Sequence, residues 1–293
     1  MQLGICLPHY GVTMEPAGMR TFAERVEALG FDSIWVTDHV IVPSELDIVY
    51  KRRMLDPLTT LGFLAGVTQR LRLGTSVIIL PYRNPIVLAK ELASVDALSS
   101  GRLIFGAAAG WMEGEFRTLN AEFEHRGDVS DEHLRVIRAL WSSAEPTYVS
   151  DAFDIGGVSF SPETAQQPHP PIWIGGSSKR AMRRAVELGE GWHPNQAGPV
   201  QVAEGIEFMR RLSDARGRAD VPAVSTRIRV AFDGSARPGR VDLTGNPSEM
   251  AASIGRFEQA GVVHMALSFP EVPFEEAMEQ LDRFAAEVRP LVR

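Results

Sequence analysis

Short apolar runs alternate along the chain with longer segments whose apolar residues recur at helical spacing. Several of the runs are apolar throughout, which is typical of parallel strands covered on both faces. The shortest predicted strand is Gly191–His193. The eight predicted strands are Leu3–Leu7, Ser33–Val36, Leu71–Ile79, Arg102–Ala109, Pro171–Ile174, Gly191–His193, Ser225–Ala231 and Val263–Ser268.

The segments between the strands predict helices with recognisable ends. Asn84-Pro85 and Asn246-Pro247 each place a capping residue before a proline suited to the first helical position. Gly30 and Gly189 are expected to end two other helices. The apolar faces are formed by Met19, Phe22, Ala23, Val26 and Leu29; by Leu134, Ile137 and Trp141 in a helix opened by Ser130; by Ala181, Met182, Ala185 and Val186 after Ser177; by Val202, Ile206 and Met209; and by Phe274, Met278, Leu281 and Val288.

This order gives eight strand-then-helix units, which fit either a doubly wound sheet or a closed barrel. Eight units over 293 residues favour a (β/α)8 TIM barrel, an α/β fold, formed as a single domain by residues 1–293. Two connections are unusually long. Thr37–Asp56 follows the second strand, and Glu145–Pro170 is an insertion after the fourth helix whose TYV and FDIGGVSF segments predict a small β-hairpin.

Net charge and composition argue against several classes of binding partner. A net charge of −7 argues against nucleic acid or an anionic membrane as the main partner. The single cysteine, Cys6, lies in an apolar run and is expected to be a small buried side chain. No apolar stretch approaches the length of a membrane span, and the N-terminus lacks the basic region of a signal peptide. The sequence therefore predicts a cytoplasmic protein that acts on a small molecule.

In a barrel of this kind, chemistry is expected in the loops that follow the strands. The fifth loop, in PPIWIGGSSKR, places two glycines and two serines directly before a helix, with Lys179 and Arg180 adding charge. Backbone N–H groups at such a helix start can bind a phosphate, but the same pattern also suits a plain capped turn. The residues alone leave the two interpretations equal.

Two further positions carry candidate chemistry. Asp38 and His39 end the second strand, where they could position a substrate or exchange a proton, or could simply cap and pack the loop. The run GTSVIILP could hold a bulge near Ser76 and Val77, although its residues favour an ordinary buried strand. The mouth carries no carboxylate pair.

Metal and nucleotide chemistry find little support. The chain lacks the HExxH, GxGxxG, GxxxxGK[ST] and GxSxG motifs. Four histidines lie near strands one, two, six and eight, so a metal-dependent hydrolase remains a minor alternative: His9, His39, His193 and His264.

Taken together, the motifs resemble the bacterial luciferase-like monooxygenase superfamily, and most closely its F420-dependent oxidoreductases from actinobacteria. The resemblance covers essentially the whole chain, and the order and spacing of its motifs are more specific than any one of them. The matching segments are LGICLPHYG, AERVEALGFDSIWVTDH, the long run from DPLTTLGF to SSGRLIFG, AGWMEGEF and PPIWIGGSSKRAMRRAVELGEGW.

The resemblance implies a barrel with a flavin or deazaflavin pocket at its C-terminal mouth. In that pocket Gly175, Gly176, Ser177 and Ser178 would hold the cofactor phosphate. A cis peptide between Ser76 and Val77 would lie behind the ring. The remaining implied residues are Asp38 and His39 near the reactive ring, His39 being the proton-handling candidate, and Ala108, Gly110 and Trp111 in the loop beside it.

The resemblance has limits. Sugar-phosphate dehydrogenases of the superfamily carry a catalytic glutamate where this chain has Trp111, which argues against such a substrate and leaves the general acid unassigned. Glu113 and Glu115 are nearby, and Glu115 is expected to support the loop. An apolar substrate pocket is expected around Ile41, Val42, Tyr82, Trp111 and Trp192, although each of these could instead be ordinary core.

The function expected from the resemblance is hydride transfer between the deazaflavin coenzyme F420 and a small organic substrate. The alternatives are an FMN-dependent monooxygenase and a flavin-binding barrel without catalysis. A homodimer is also implied. The substrate itself is not specified by the residues.

Overall fold

A computed structural model gives the fold, and it describes residues 1–10, 15–45, 54–235, 237 and 239–292. Eight parallel strands close into a barrel, as predicted. In chain order they are β1 (Gln2–Cys6), β2 (Ser33–Val36), β3 (Arg72–Thr75), β5 (Leu103–Ala108), β8 (Ile172–Gly175), β9 (Gly191–His193), β10 (Ala223–Ala231) and β12 (Val262–Ser268).

The barrel closes because each of these strands pairs with its neighbours on both sides. The pairing runs from β1 through β2, β3, β5, β8, β9 and β10 to β12, which returns to β1 with Gln2 opposite His264 and Ile5 opposite Leu267. Two short strands lie alongside: β4 (Ile78–Ile79) pairs with β5, and β11 (Asp242–Thr244) pairs with β10.

Helices cover the outside of the barrel. Two of the helices begin with the predicted asparagine caps. The side chains of Asn84 and Asn246 accept backbone N–H groups from the first turns of their helices. The helices are α1 (Pro16–Ala28), α2 (Pro57–Val67), α3 (Pro85–Leu98), α4 (Glu113–Thr118), α5 (Arg126–Trp141), α6 (Lys179–Leu188), α7 (Pro199–Ala215), α8 (Pro247–Gln259) and α9 (Phe274–Arg283).

Several boundaries differ from the predictions. The long strand predicted over Leu71–Ile79 is interrupted at Ser76 and Val77, so it forms β3 and β4. Helix α5 begins at Arg126 rather than Ser130, and Ser178 rather than Ser177 caps α6. Strand β11 was not predicted, because three residues of mixed polarity carry no readable alternation.

Two tryptophans fill the inside of the barrel. Trp35 and Trp173 are buried with their ring centroids 5.6 Å apart, and Cys6 packs in the same cluster, as expected for a small buried side chain. Room for Trp35 comes from glycines on neighbouring strands: a Cβ at Gly74 would lie 2.2 Å from the Trp35 ring. The Trp35 side chain therefore packs directly against the backbone of the neighbouring strands, and the glycine positions there have no space for a larger residue.

The insertion after the fourth barrel helix, α5, contains the predicted hairpin. Strands β6 (Tyr148–Val149) and β7 (Asp154–Ile155) are antiparallel. The other long connection, Thr37–Asp56, lies partly outside the described residues, since residues 46–53 are not described. In the part of the chain that is described, the helices are too short or too polar to cross a membrane.

Candidate active site at the barrel mouth

Asp38 follows β2 and is buried, and its carboxylate fixes the loop after β4. Oδ2 accepts the backbone N–H of Ile79 at 2.9 Å, and the Arg83 guanidinium binds both oxygens, with Nη2 2.9 Å from Oδ1. Burial works against the charge of Arg83, but Asp38 and Asp56 outweigh it and raise the pKa of that guanidinium. These contacts make Asp38 a residue that positions the loop.

His39 lies beside Asp38 and is held by a carboxylate from a different part of the chain. Its Nδ1 donates to Oε2 of Glu115 at 2.8 Å. The ring stands edge-on to Trp111, with centroids 6.4 Å apart. Because the carboxylate accepts at Nδ1, the proton of the neutral ring is on that atom, and Nε2 is the basic nitrogen.

Glu115 on α4 is fully buried and accepts four hydrogen bonds. Oε1 accepts the backbone N–H groups of Val40 and Ile41 at 2.6 and 3.1 Å, and Oε2 accepts the Tyr82 hydroxyl at 3.0 Å in addition to His39. Burial alone would raise the pKa of Glu115, but these hydrogen bonds outweigh it and lower the pKa. Glu115 therefore supports the loop after β2, whereas the sequence had associated it with the Trp111 loop, and its contact with His39 was not predicted.

The peptide bond between Ser76 and Val77 is cis, as the resemblance implies. Val77 follows the end of β3 and is partly exposed. A Cβ added to Gly175 would lie 3.1 Å from Val77 and 3.2 Å from the Cβ of Ala108, so these three residues adjoin one another. Together they form a patch of small side chains at the mouth, which a flat ring could approach closely.

The loop after β5 runs along the edge of this patch. Gly110 has a φ of +82°, and a Cβ there would lie 2.7 Å from the Ile79 side chain. Trp111 is 63% exposed. The backbone at Gly110 thus follows β4 closely while the Trp111 ring faces outward, beside His39.

The GGSS loop leads into α6 with an exposed backbone. Gly176 has a φ of +104°, and a Cβ there would meet only the side chain of Ala181. The Trp192 indole donates to the Gly176 carbonyl at 2.7 Å and fixes the turn. Ser178 caps α6 by accepting the N–H of Ala181, while Ser177 is exposed. The exposed backbone before the first turn of α6 can therefore bind an anion through its N–H groups.

The charges expected beside this loop are arranged differently from the prediction. The guanidinium of Arg180 is paired with Asp128 and Asp131 on α5. The Lys179 ammonium lies 6.0 Å from the centre of the Phe208 ring. An anion at this loop would consequently depend on backbone N–H groups and serine hydroxyls more than on these two side chains.

The expected apolar pocket is only partly assembled. Ile41 is 46% exposed in the loop that Glu115 holds, and Val42 is partly exposed. Tyr82 is engaged by Glu115. Trp192 is buried on the outer side of β9 against Gly205, so it belongs to the core between the barrel and α7.

The histidines do not form a metal site. Within the described ranges there is no group of three or more residues able to bind a metal ion. Both ring nitrogens of His9 face backbone carbonyls, of Leu7 and Thr37. His193 and His264 lie inside the barrel, and burial is the main cause that lowers the pKa of each to about 3.

Comparison with known proteins gives the same architecture. The protein Rv0953c of Mycobacterium tuberculosis is 26% identical over 96% of this chain and 98% of its own. An F420-dependent secondary alcohol dehydrogenase, solved with an F420–acetone adduct, superposes with a TM-score of 0.82 at 21% identity, covering 100% of this chain and 99% of its own. The FMN-bound oxygenating component of 3,6-diketocamphane monooxygenase from Pseudomonas putida gives 0.76 at 15% identity, over 99% and 98% of the two chains.

A sequence profile decides the class. The profile of the luciferase-like monooxygenases matches residues 1–237, which include the Asp38–His39 loop, the cis peptide and the GGSS loop. The chain belongs to the luciferase-like monooxygenase family and is an oxidoreductase of that family.

Proposed function

We propose that this protein is an F420-dependent oxidoreductase that transfers a hydride between the deazaflavin C5 and a small organic substrate. The observation that carries the proposal is the His39–Glu115 pair at the barrel mouth, with Nδ1 and Oε2 2.8 Å apart. Oxidation of an alcohol, or reduction of a carbonyl, requires a proton to move with the hydride. His39 can exchange that proton at Nε2 while Glu115 stabilises the charged ring.

The residues present fit the cofactor at both of its ends. At the ring end, Val77, Ala108 and Gly175 leave a flat patch that a larger side chain at Gly175 would fill. At the phosphate end, Gly176 and Ser177 expose the backbone before α6. When bound, the deazaflavin supplies the hydride-transfer chemistry, and the chain binds it, orients it and limits the access of water.

The FMN-dependent alternative rests on the same loop. FMN also carries a phosphate on its side chain, and the GGSS loop does not distinguish the two phosphates. The solved FMN monooxygenase shares this fold. The F420 proposal is preferred because the sequence motifs resemble most closely the F420-dependent members of the family. The fold does not separate the cofactors, since the F420-dependent alcohol dehydrogenase and the monooxygenase RslO1 of Streptomyces bottropensis both superpose with a TM-score of 0.82.

Cofactor titration tests the proposal. The purified protein is titrated with F420 and with FMN, each oxidised and reduced, and binding is followed by absorbance and fluorescence. We expect F420 to bind and FMN to bind more weakly. Tight binding of FMN with no binding of F420 would refute the F420 proposal. Binding without turnover in a screen of secondary alcohols and ketones would favour a non-catalytic barrel.

The dimer implied by the resemblance remains a proposal. It finds support in apolar side chains exposed on two adjacent helices, Phe63 on α2 and Ile86 and Val87 on α3. Light scattering at several protein concentrations would measure the assembly directly. A mass equal to one chain at all concentrations would exclude the dimer.

A further inference from the structure

A continuous chain of hydrogen bonds crosses the inside of the barrel from its base to its mouth. It begins where the Trp35 indole donates to the Ser33 hydroxyl at 2.7 Å, and it ends at Ser76, beside the cis peptide. The chain passes through six buried side chains: Trp35, Ser33, His264, Ser225, His193 and Ser76.

The intermediate links join two histidines through one serine. Nε2 of His264 lies 2.8 Å from the Ser33 hydroxyl, and its Nδ1 lies 3.2 Å from the Ser225 hydroxyl. The same hydroxyl lies 3.0 Å from Nδ1 of His193, whose Nε2 lies 2.9 Å from the Ser76 hydroxyl. Each ring therefore uses both nitrogens within the chain.

The directions follow from the buried hydroxyl donors. An indole N–H can only donate, so Ser33 accepts from Trp35. Among the described residues the Ser33 hydroxyl has no acceptor other than Nε2 of His264, and an unused donor inside the barrel would be costly, so Ser33 donates to that nitrogen. His264, carrying one proton, then donates from Nδ1 to Ser225. The buried Ser225 hydroxyl is left with Nδ1 of His193 as its acceptor among the described residues, so it donates to that atom. His193 in turn donates from Nε2 to Ser76.

This order makes Ser76 an acceptor from His193 and leaves its own O–H directed elsewhere. Among the described residues, no hydrogen bond from the Ser76 hydroxyl to a second acceptor is present. Its side chain lies at the barrel mouth, next to Val77 of the ring patch. The chain cannot conduct protons through the barrel, because the indole at its base does not release one. Its effect is orientation.

We propose that the Ser76 hydroxyl is a directed hydrogen-bond donor in the cofactor pocket, and that it selects a carbonyl oxygen or an unprotonated nitrogen on the edge of the bound ring. His193, Ser225 and His264 act as positioning residues for that donor. The inference rests on the proposed function for the identity of the ligand, but the direction of the chain can be measured without any ligand.

The first test measures the histidine tautomers of the wild-type protein by NMR with ¹⁵N-labelled histidine. We expect the His193 ring proton on Nε2 and the His264 proton on Nδ1, with neither ring titrating between about pH 5 and 8. His133 is an internal reference, because its Nδ1 faces the Leu80 carbonyl at 3.1 Å and must carry the proton. A proton on Nδ1 of His193, or a normal titration of either ring, would overturn the proposal.

The second test measures cofactor affinity in three variants. Ser76→Ala removes the donor, and we expect binding about five- to tenfold weaker. Ser225→Ala lets His193 change tautomer and accept from Ser76, so we expect a similar loss although Ser225 is remote from the ligand. Ser213→Ala is the matched control, because Ser213 on α7 is a buried hydroxyl that has no hydrogen-bond partner among the described residues.

The two proposals fail in different ways. Unchanged affinity in Ser76→Ala and Ser225→Ala, with a wild type that binds cofactor, would overturn the donor role alone. A wild type that binds neither F420 nor FMN would refute the proposed function and the ligand part of this inference together, and the tautomers would still decide the direction of the chain. Ser225→Thr keeps the hydroxyl and should restore affinity.

Discussion

The Nδ1 atom of His39 lies 2.8 Å from Oε2 of Glu115, although 76 positions separate the two residues in the chain. Glu115 also binds the backbone N–H groups of Val40 and Ile41. One buried carboxylate therefore orients the imidazole and holds the loop that carries it. The stability of the mouth and the acid–base chemistry proposed for His39 therefore involve the same group.

Replacing this carboxylate with an amide should cost stability. In Glu115→Gln the amide retains one acceptor but directs its NH₂ group at donors, so some of the four hydrogen bonds are lost in a buried site. We expect the free energy of unfolding to fall by about 2–4 kcal/mol, measured by urea denaturation. Glu113→Gln, on the same helix but exposed, should change it by less than about 0.5 kcal/mol.

The contribution of Glu115 should depend on pH in a defined direction. Its folded-state pKa is lowered, so the stabilisation is complete above the pKa of an unfolded glutamate and is lost as pH falls through the folded value. The stability difference between wild type and Glu115→Gln should therefore be constant above about pH 5 and shrink below about pH 4. A difference that grows as the pH falls below about 5 would show that the folded-state pKa of Glu115 is raised rather than lowered.

His39 should contribute to turnover more than to cofactor binding. His39→Ala removes the ring proposed to exchange a proton, while the ring patch and the GGSS loop remain. We expect kcat to fall by about 10²–10⁴-fold and the cofactor Kd to change by less than about threefold. The exposed His125 provides a control, since His125→Ala should alter neither quantity. Equal turnover in the two variants would assign His39 to packing.

The barrel could be predicted from the sequence because its signals are local. Buried parallel strands are short apolar runs, and the caps at Asn84 and Asn246 need only neighbouring residues. The interruption of the strand at Ser76 and Val77 came only from the family resemblance. Nothing in the residues of that run distinguishes it from a continuous buried strand.

The contacts of the site required the three-dimensional structure. The sequence placed His39 and Glu115 in two loops of the same mouth, but neither loop specifies that Nδ1 meets the carboxylate. For Trp192 the sequence left pocket and core as alternatives, and the structure places it in the core, because its ring points outward to α7. Side-chain direction at a barrel mouth depends on register between strands, which local patterns do not contain.

The phosphate role proposed for the GGSS loop predicts a charge-specific loss of affinity. Gly176→Asp would place a carboxylate beside the exposed backbone before α6, and we expect cofactor binding to weaken by at least about 2 kcal/mol, roughly 30-fold. Gly176→Asn is the matched control, because it has the same shape and the same strain at a φ of +104° without the charge. Equal affinities of the two variants in a fluorescence titration would remove the phosphate assignment.

The packing of Trp35 predicts that the barrel will not tolerate a methyl group on its inner wall. In Gly74→Ala the new Cβ would lie 2.2 Å from the Trp35 ring, which stacks on His193 with centroids 5.1 Å apart and cannot move aside. We expect the free energy of unfolding to fall by about 3 kcal/mol or more. The same substitution at Gly62, inside α2 with open space around it, should instead raise stability by about 0.5–1 kcal/mol. Thermal unfolding of both variants measures the contrast, and a Gly74→Ala protein as stable as wild type would show that the interior can expand.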